Sequence, residues 1–520
     1  MKGTLRYQID GRTVEREVNY IPVRFILAIA LAVLETLTIV AIVIALCYYV
    51  PYFYLAVFVT EIACVIKIIA SNDNPDYKIP WLLVVLVVPI AGFMLYFLFY
   101  DRKLKKKYIK RLAHLKEIGH KPEDAALFAK LKEESPAVHS QAKMLCRIGE
   151  THLYSDTKQE YFPLGEDMLG PLLEDLKNAE KFIFMEYFII EEGTFWNSIL
   201  DILKEKAAQG VEVKVVYDDI GCMMTLPGDY ARQLRKLGIE AYPFSALKGN
   251  ADSEFNNRSH RKITVIDGKI GYTGGINLAD EYINEVVRFG HWKDTGIRLE
   301  GEAVKELTNL VLIDYGLNTF RSFEPQQDYF PEYSREAEGY VIPFGDGPAP
   351  IYKREVGKSV IQNMLNQANR YVYMMSPYLI VDNELRQAIE DAALRGVHVK
   401  LILPHIPDKK LVYEMARSHY QRLLDAGVEI YEYEPGFVHA KVYLADDEYA
   451  MVGTINLDYR SLVHNFENGV WMYRCDCLKD IRRDFEDTLE KCICIDETKI
   501  KWSLRQRFVR SVVKVFTPML

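Results

Sequence analysis

Ala207-Ala-Gln-Gly-Val-Glu-Val-Lys-Val-Val216 recurs as Ala393-Leu-Arg-Gly-Val-His-Val-Lys-Leu-Ile402, and the architecture follows from that recurrence. In both copies a helix stops at glycine and a Val-rich buried strand follows. Working outward, Leu172-Leu-Glu-Asp-Leu-Lys-Asn-Ala-Glu-Lys-Phe-Ile-Phe-Met-Glu186 pairs with Ile361-Gln-Asn-Met-Leu-Asn-Gln-Ala-Asn-Arg-Tyr-Val-Tyr-Met-Met375. Further along, Tyr230-Ala-Arg-Gln-Leu-Arg-Lys-Leu-Gly-Ile-Glu-Ala-Tyr242 pairs with Tyr420-Gln-Arg-Leu-Leu-Asp-Ala-Gly-Val-Glu-Ile-Tyr431. Strands alternating with short helices predict parallel-sheet α/β units, and self-similarity over this length predicts a duplicated body with a pseudo-twofold axis.

Each copy continues into the same polar constellation. The first is His260-Arg-Lys262-Ile-Thr-Val-Ile-Asp267-Gly with Gly274-Gly-Ile-Asn277. The second is His439-Ala-Lys441-Val-Tyr-Leu-Ala-Asp446 with Gly453-Thr-Ile-Asn456. Strand side chains alternate, so His and Lys two residues apart share a face while Ile263 or Val442 packs elsewhere. Asp267-Gly268 signals a hairpin whose returning strand carries the Gly-x-x-Asn turn back beside the histidine. One His-x-Lys arises often by chance; two copies with matched spacing do not.

The paired motif resembles the phospholipase D superfamily, written His-x-Lys-x(4)-Asp, and from about Phe25 onward the chain resembles its bacterial cardiolipin synthase family. That resemblance implies an α/β fold of two duplicated phospholipase D-like lobes preceded by N-terminal transmembrane helices, with one site between the lobes. It implies phosphodiester exchange through a phosphohistidine, two phosphatidylglycerol molecules giving cardiolipin and glycerol. His260 is assigned as nucleophile and His439 as general acid/base, roles that near-symmetry allows to be exchanged. Lys262, Lys441, Asn277 and Asn456 are expected to stabilise phosphate charge, with no metal or other cofactor. Asp267 and Asp446 complete the motifs, and their expected work is to hold turn and strand geometry. Each imidazole needs an orienting carboxylate. In the second half this is Glu467. In the first, Arg288 stands at that spacing, and Asp294 of His291-Trp-Lys-Asp-Thr295 is the candidate. Glu186, replaced by Met375 in the other copy, either lines a headgroup pocket or ends a strand in solvent.

Composition bounds the rest. The chain has 520 residues, 64 Lys+Arg against 72 Asp+Glu for a net charge of −8, and 49% hydrophobic content. Length suggests roughly three domain-sized units. Eight cysteines exclude a disulfide scaffold, and the acidic balance disfavours nucleic acid as a partner. The apolar residues concentrate in Phe25–Val50, Tyr52–Ala70 and Trp81–Tyr100, each near the length that spans a bilayer. Three spans are predicted, the alternative being a shallow hairpin from the first two. Asp101-Arg-Lys-Leu-Lys-Lys-Lys-Tyr-Ile-Lys-Arg111 holds seven cations, which places the body on the cytoplasmic side of the cell membrane and draws it to anionic lipid.

The predicted division is a membrane region over 1–100, a basic juxtamembrane linker over 101–150, one lobe over 151–325, a linker over 326–350, a second lobe over 351–499 and a basic amphipathic helix over 500–520. That last helix either lies in the interface or packs on its own lobe. Cys475, Cys477, Cys492 and Cys494 flank an expected helix and read as buried small residues on strands, with zinc as the alternative. Oligomeric state is left open. Three functions compete: a phosphatidyltransferase, a hydrolase or nuclease of the same fold, and a catalytically dead membrane protein. A dead protein is disfavoured because both motifs are intact, and transfer is favoured by the resemblance and by the spans, which hold the site at a supply of lipid hydroxyls.

Overall fold

The computed structural model describes residues 2–9, 12–19, 23–49, 51–71, 74–97, 110–112, 114–115, 124–245, 257–319, 326–349 and 351–496. Two compact units are present, one holding residues 1–104, 247–257 and 503–520, the other holding 105–246 and 258–502. Most of the basic segment 101–111 and the whole of 500–520 lie outside the described residues.

In the larger unit the duplication is literal. One mixed sheet orders its strands Thr157–Phe162, Gly296–Gly301, Ile270–Gly274, Lys262–Ile266, Phe182–Tyr187, Glu212–Asp218 and Glu240–Phe244. The other runs Tyr340–Asp346, Glu467–Tyr473, Tyr449–Gly453, Val442–Ala445, Tyr371–Met375, His398–Pro404, Glu429–Tyr433 and Cys492–Ile495. The parallel strands are those the repeats predict, Phe182–Tyr187 beside Glu212–Asp218 beside Glu240–Phe244 and their counterparts. The motif strands pair antiparallel with them and with their own returning partners, so the sheets are mixed. One apolar cluster takes residues from both sheets, including Phe184, Val265, Leu299, Tyr373, Leu444 and Met472, together with Val304, Leu307 and Val311 of the helix Val304–Thr319. It makes the two lobes one packed body.

Two predicted linkers are structured. Residues 326–350 contain the strand Tyr340–Asp346, seated on Glu467–Tyr473 as the edge of the second sheet. The alternation Val341, Ile342, Phe344 among Pro and Gly had disguised it. Residues 101–150 contain the helices Ala125–Glu134 and Pro136–Gly149, the second opening on Ser135, whose hydroxyl accepts from the Val138 amide.

The other unit opens with an antiparallel hairpin, Lys2–Ile9 against Arg12–Asn19. Helices then cover Val23–Tyr49, Pro51–Ala70, Pro75–Val87 and Pro89–Leu95. Among the described residues one helix, Tyr52–Ala70, is long and apolar enough to cross a membrane by length and composition, and a shorter apolar stretch covers Val33–Leu46. The third expected span is not one continuous helix. Val88 leaves the helical region at φ −131 and ψ 73 before Pro89 restarts it, because a proline lacks the N–H that continues the ladder and disfavours helix at the residue before it. Glu35 is exposed and Glu61 half-buried. Lys67 lies over the rings of Tyr96 and Phe97, 5.4 and 4.8 Å from their centres, so its charge meets π-faces.

Candidate active site

The aspartates that end the two motifs have a purely architectural position. Asp267 accepts from the amides of Glu180, Lys181 and Phe182 at 2.7 to 2.9 Å. Asp446 does the same for Asn369, Arg370 and Tyr371 at 2.7 to 2.8 Å. Each carboxylate takes up the free N–H groups where a helix hands over to the central strand, and each residue turns the hairpin at positive φ, 53° and 57°. They fix the motif strand against its neighbour, the architectural work expected of them, and the contacts they make are to backbone rather than to the reacting groups.

The other motif residues converge. His260 and His439 are each 8% exposed, and Lys262 and Lys441 are buried. Nδ1 of His260 is 2.9 Å from Oε2 of Glu467, and Nδ1 of His439 is 2.6 Å from Oδ2 of Asp294. Each histidine is therefore held by the carboxylate of the other lobe, where the repeat had suggested a partner in its own. Backbone pairing across the lobes is the cause. The strand Gly436–Val438, which leads into His439, runs parallel to His291–Lys293, which leads into Asp294. Ser259 bridges Phe466 in the matching way. The His439 amide donates to Lys293 O at 2.7 Å, and the His260 amide to Phe466 O at 2.8 Å. Gly275 permits the approach, since a Cβ there would stand 2.0 Å from Oδ1 of Asp294.

With both Nδ1 atoms engaged by carboxylates, the two Nε2 atoms are the ones left to react. Burial lowers the His260 pKa and Glu467 opposes the shift. Burial and the neighbouring Lys441 pull His439 down to about 3. Lys441 Nζ is 2.8 Å from the same Nδ1 that faces Asp294. The shorter contact to Asp294 puts the proton on Nδ1, so Lys441 acts there as a nearby charge. Burial lowers Lys262 to about 7 and Lys441 to about 8, and each lysine is among the charges that depress the other lobe's histidine. Burial works against the Glu467 anion, but His260 and Lys262 outweigh it and hold the carboxyl below its usual range. The site thus packs two buried lysines and two buried carboxylates, Glu467 and Asp294, around the two imidazoles.

The two asparagines differ. Asn277 is committed on both sides: its Oδ1 accepts from the Ile189 amide at 2.9 Å and its Nδ2 donates to Tyr282 at 2.7 Å. It anchors two segments and keeps one N–H of its Nδ2 uncommitted by these two bonds. Asn456 keeps a buried amide oxygen position without a hydrogen-bond partner. Its amide nitrogen donates to Asp458, and an amide nitrogen carries a second N–H. Glu186 is fully buried and accepts from the Ser259 hydroxyl, and burial, then Asp314, raises its pKa well above the usual range. It lies behind the His260 segment, neither in a headgroup pocket nor in solvent. Arg288 pairs with Glu281 at 2.7 Å and orients no histidine.

Sequence reading missed the framework. Arg258 meets Asp218 through Nε and Nη2 at 2.9 to 3.0 Å, both side chains buried, and Asp218 also accepts the Ser259 amide. Arg261 donates to Asp314 at 2.8 Å and to the Glu467 carbonyl at 3.0 Å. Ser461 donates to the second oxygen of Glu467 at 2.7 Å. Arg258 and Arg261 flank His260 in the sequence, and charged residues on both sides of a buried motif were the available signal. No set of three or more His, Cys, Asp or Glu able to hold a metal occurs among the described residues. Cys475 and Cys477 are buried in the turn before the helix Leu478–Leu489, whereas Cys494 is exposed on its strand, so burial of all four on strands does not hold.

Comparison with known proteins agrees with this geometry. The family described as cardiolipin synthase, phospholipase D-like domain, matches residues 172–287 and 361–489. The phospholipase D-nuclease N-terminal family matches 62–99. A cardiolipin synthase of Geobacillus kaustophilus is 34% identical over 88% of this chain and 91% of its own length. Cardiolipin synthase 2 of Bacillus anthracis is 33% identical over 88% and 89%. An uncharacterized protein of Streptococcus mutans is 44% identical over 88% and 100%. Among solved structures, phosphatidylserine synthase of Haemophilus influenzae Rd KW20 superposes with a TM-score of 0.56 over 73% of this chain and 98% of that one at 16% identity, a likeness of fold. With duplicated sheets, two intact His/Lys pairs in one buried site and relatives matched along nearly their whole length, the chain belongs to the cardiolipin synthase family of the phospholipase D superfamily.

Proposed function

We infer that this chain is a cardiolipin synthase, a phospholipase D-type phosphatidyltransferase, and that it takes phosphatidylglycerol as both donor and acceptor. The observation that carries the reading is the crossed pair of dyads, His260 with Glu467 and His439 with Asp294, set around two buried lysines. A phosphodiester presents its nonbridging oxygens to those lysines. Lys262 and Lys441, helped by Asn456, hold its nonbridging oxygens and stabilise the charge that builds on them during attack. Nε2 of His260 attacks phosphorus and the bond to the departing glycerol oxygen breaks as His439 protonates it. The result is a phosphatidyl-histidine and free glycerol. His439, now neutral, takes the proton from the glycerol hydroxyl of a second phosphatidylglycerol. That oxygen attacks phosphorus, cardiolipin forms, and His260 is released.

Both imidazoles are neutral in the empty site because burial and the lysines disfavour their charged forms. The nucleophile is ready, and the bound phosphodiester supplies the negative charge that lets the other imidazole hold a proton. The two lysines, charged once an anion is bound, do the electrostatic work, so chelators should leave turnover intact. The apolar stretches before the body support attachment to the cell membrane through several passes, with the body on the cytoplasmic side.

The test is the lipid product. The purified full chain in phosphatidylglycerol vesicles should release glycerol and form cardiolipin, with chelator present, and His260→Ala and His439→Ala should each abolish this. Phosphatidic acid as the main product would refute transfer. Substantial turnover by either alanine variant would refute the shared site.

A further inference from the structure

The near-symmetry of the site fails at one charged position. Four residues after Asn456 in the second lobe stands Arg460, the first residue of a π-turn, Arg460–His464. Four residues after Asn277 in the first lobe stands Glu281, in the turn Asp280–Ile283, and its carboxylate is already matched by Arg288 at 2.7 Å. Arg460 is half-buried, and its guanidinium has neither hydrogen bond nor ion pair among the described residues. The two carboxylates that act on it have hydrogen-bond donors of their own. Asp218 is clamped by Arg258, and Asp458 accepts from the Ser461 amide at 2.9 Å.

Its location ties it to the reaction. Ser461, the next residue, donates to Glu467, the partner of His260. The charges that act on Arg460 are Asp458 of its own lobe and Arg258 and Asp218 of the other, and Asp218 also acts on Lys262. Arg460 thus adjoins the Ser461–Glu467–His260 chain of hydrogen bonds that crosses the junction of the lobes. Single π-turns inserted into a fold are frequent at functional positions. A half-buried guanidinium with five donors and no acceptor is an incomplete anion site.

Transfer between two phosphatidylglycerol molecules brings a second phosphodiester to the site. That group keeps its charge throughout, repels the reacting phosphate, and in the product lies one glycerol's length from it. We propose that Arg460 binds the unreacting phosphate of the acceptor lipid and so distinguishes the acceptor from the donor in an otherwise near-symmetric site. This rests on the transferase reading above. It gives a chemical basis for preferring a phospholipid hydroxyl over water or free glycerol, neither of which brings an anion to Arg460.

Two rates from one preparation test it. The full chain in vesicles of phosphatidylglycerol diluted with phosphatidylcholine is assayed for cardiolipin formation and for entry of isotope-labelled glycerol into phosphatidylglycerol. Exchange with glycerol uses the same donor and the same phosphatidyl-histidine but an uncharged acceptor. Arg460→Gln should lower the ratio of cardiolipin formation to glycerol exchange by about tenfold or more, and Arg460→Lys by less, because a charge-assisted, forked contact is lost or reduced. A ratio equal to that of the unaltered chain overturns the proposal, whether both rates fall or neither does. If Arg460→Gln loses both rates, the ratio for Arg460→Lys decides: a fall supports the proposal and no change refutes it. An unaltered chain that supports neither reaction refutes the transferase reading, a result distinct from either outcome for Arg460.

Discussion

Replacing Glu467 by Gln should disable His260 and leave His439 in place, although Glu467 and His439 belong to the same lobe. Glu467 is wholly buried, with one oxygen 2.9 Å from Nδ1 of His260 and the other held by Ser461 at 2.7 Å. Glutamine keeps the shape and removes the charge. A hydrogen bond to a charged partner contributes about 1.5–3 kcal/mol, which at 1.36 kcal/mol per unit corresponds to about 1–2 pKa units. The sign follows from the chemistry: the carboxylate favours imidazolium, so its loss lowers the His260 pKa below its already depressed position. His439, on Asp294, should move by less than about half a unit. Turnover should fall by about 10²–10⁴-fold, because the Nδ1 proton and the ring orientation are no longer fixed. The assay is a pH titration of nitrogen-15-labelled histidines in the full chain in detergent, with the two signals assigned from His260→Ala and His439→Ala. A shift at His439 with His260 unmoved would refute the crossed pairing.

The two hairpin aspartates and the two lysines give the remaining expectations. Asp267→Ala or Asp446→Ala removes an acceptor shared by three amides and should lower stability by about 2–4 kcal/mol, read from urea unfolding of the chain in detergent. The folded fraction should retain turnover, and loss of turnover at unchanged stability would return these residues to the chemistry. Lys262 and Lys441, at about 7 and about 8 in the empty site, are charged below those values and neutral above them. Binding of the permanently anionic diester glycerophosphoglycerol should therefore weaken as pH rises through 7 to 8 and should take up protons there. Calorimetry in buffers of different ionisation enthalpy measures both, and binding that strengthens with pH would contradict the assignment.

The repeats, the hairpins after both motif strands and the His/Lys pairs were legible in the sequence because each rests on local periodicity or spacing. The helix stops at Gly210 and Gly396 and the positive-φ turns at Asp267 and Asp446 are short-range properties that neighbouring residues determine. Local signals were also overlooked: Pro89 marks the break in the third apolar stretch, and Tyr340–Asp346 is a strand inside what reads as a Pro/Gly-rich linker. Asn277 matched its motif, but its bonds to Ile189 and Tyr282 are contacts between segments that spacing does not encode.

The sequence by itself determined that there are two α/β halves and where in each the paired His/Lys motif stands, and the resemblance carried by those motifs implied phosphodiester exchange. Only the tertiary structure decided the partners. The parallel pairing of Gly436–Val438 with His291–Lys293, and of Ser259 with Phe466, carries each histidine to the other half's carboxylate. The same packing leaves the Arg460 guanidinium with no hydrogen bond or ion pair among the described residues while Glu281 has one. Periodicity describes what one strand does along its own length. Which strand it meets across a lobe boundary is settled by the packing of two sheets on one core, where no residue's neighbours in sequence have a vote.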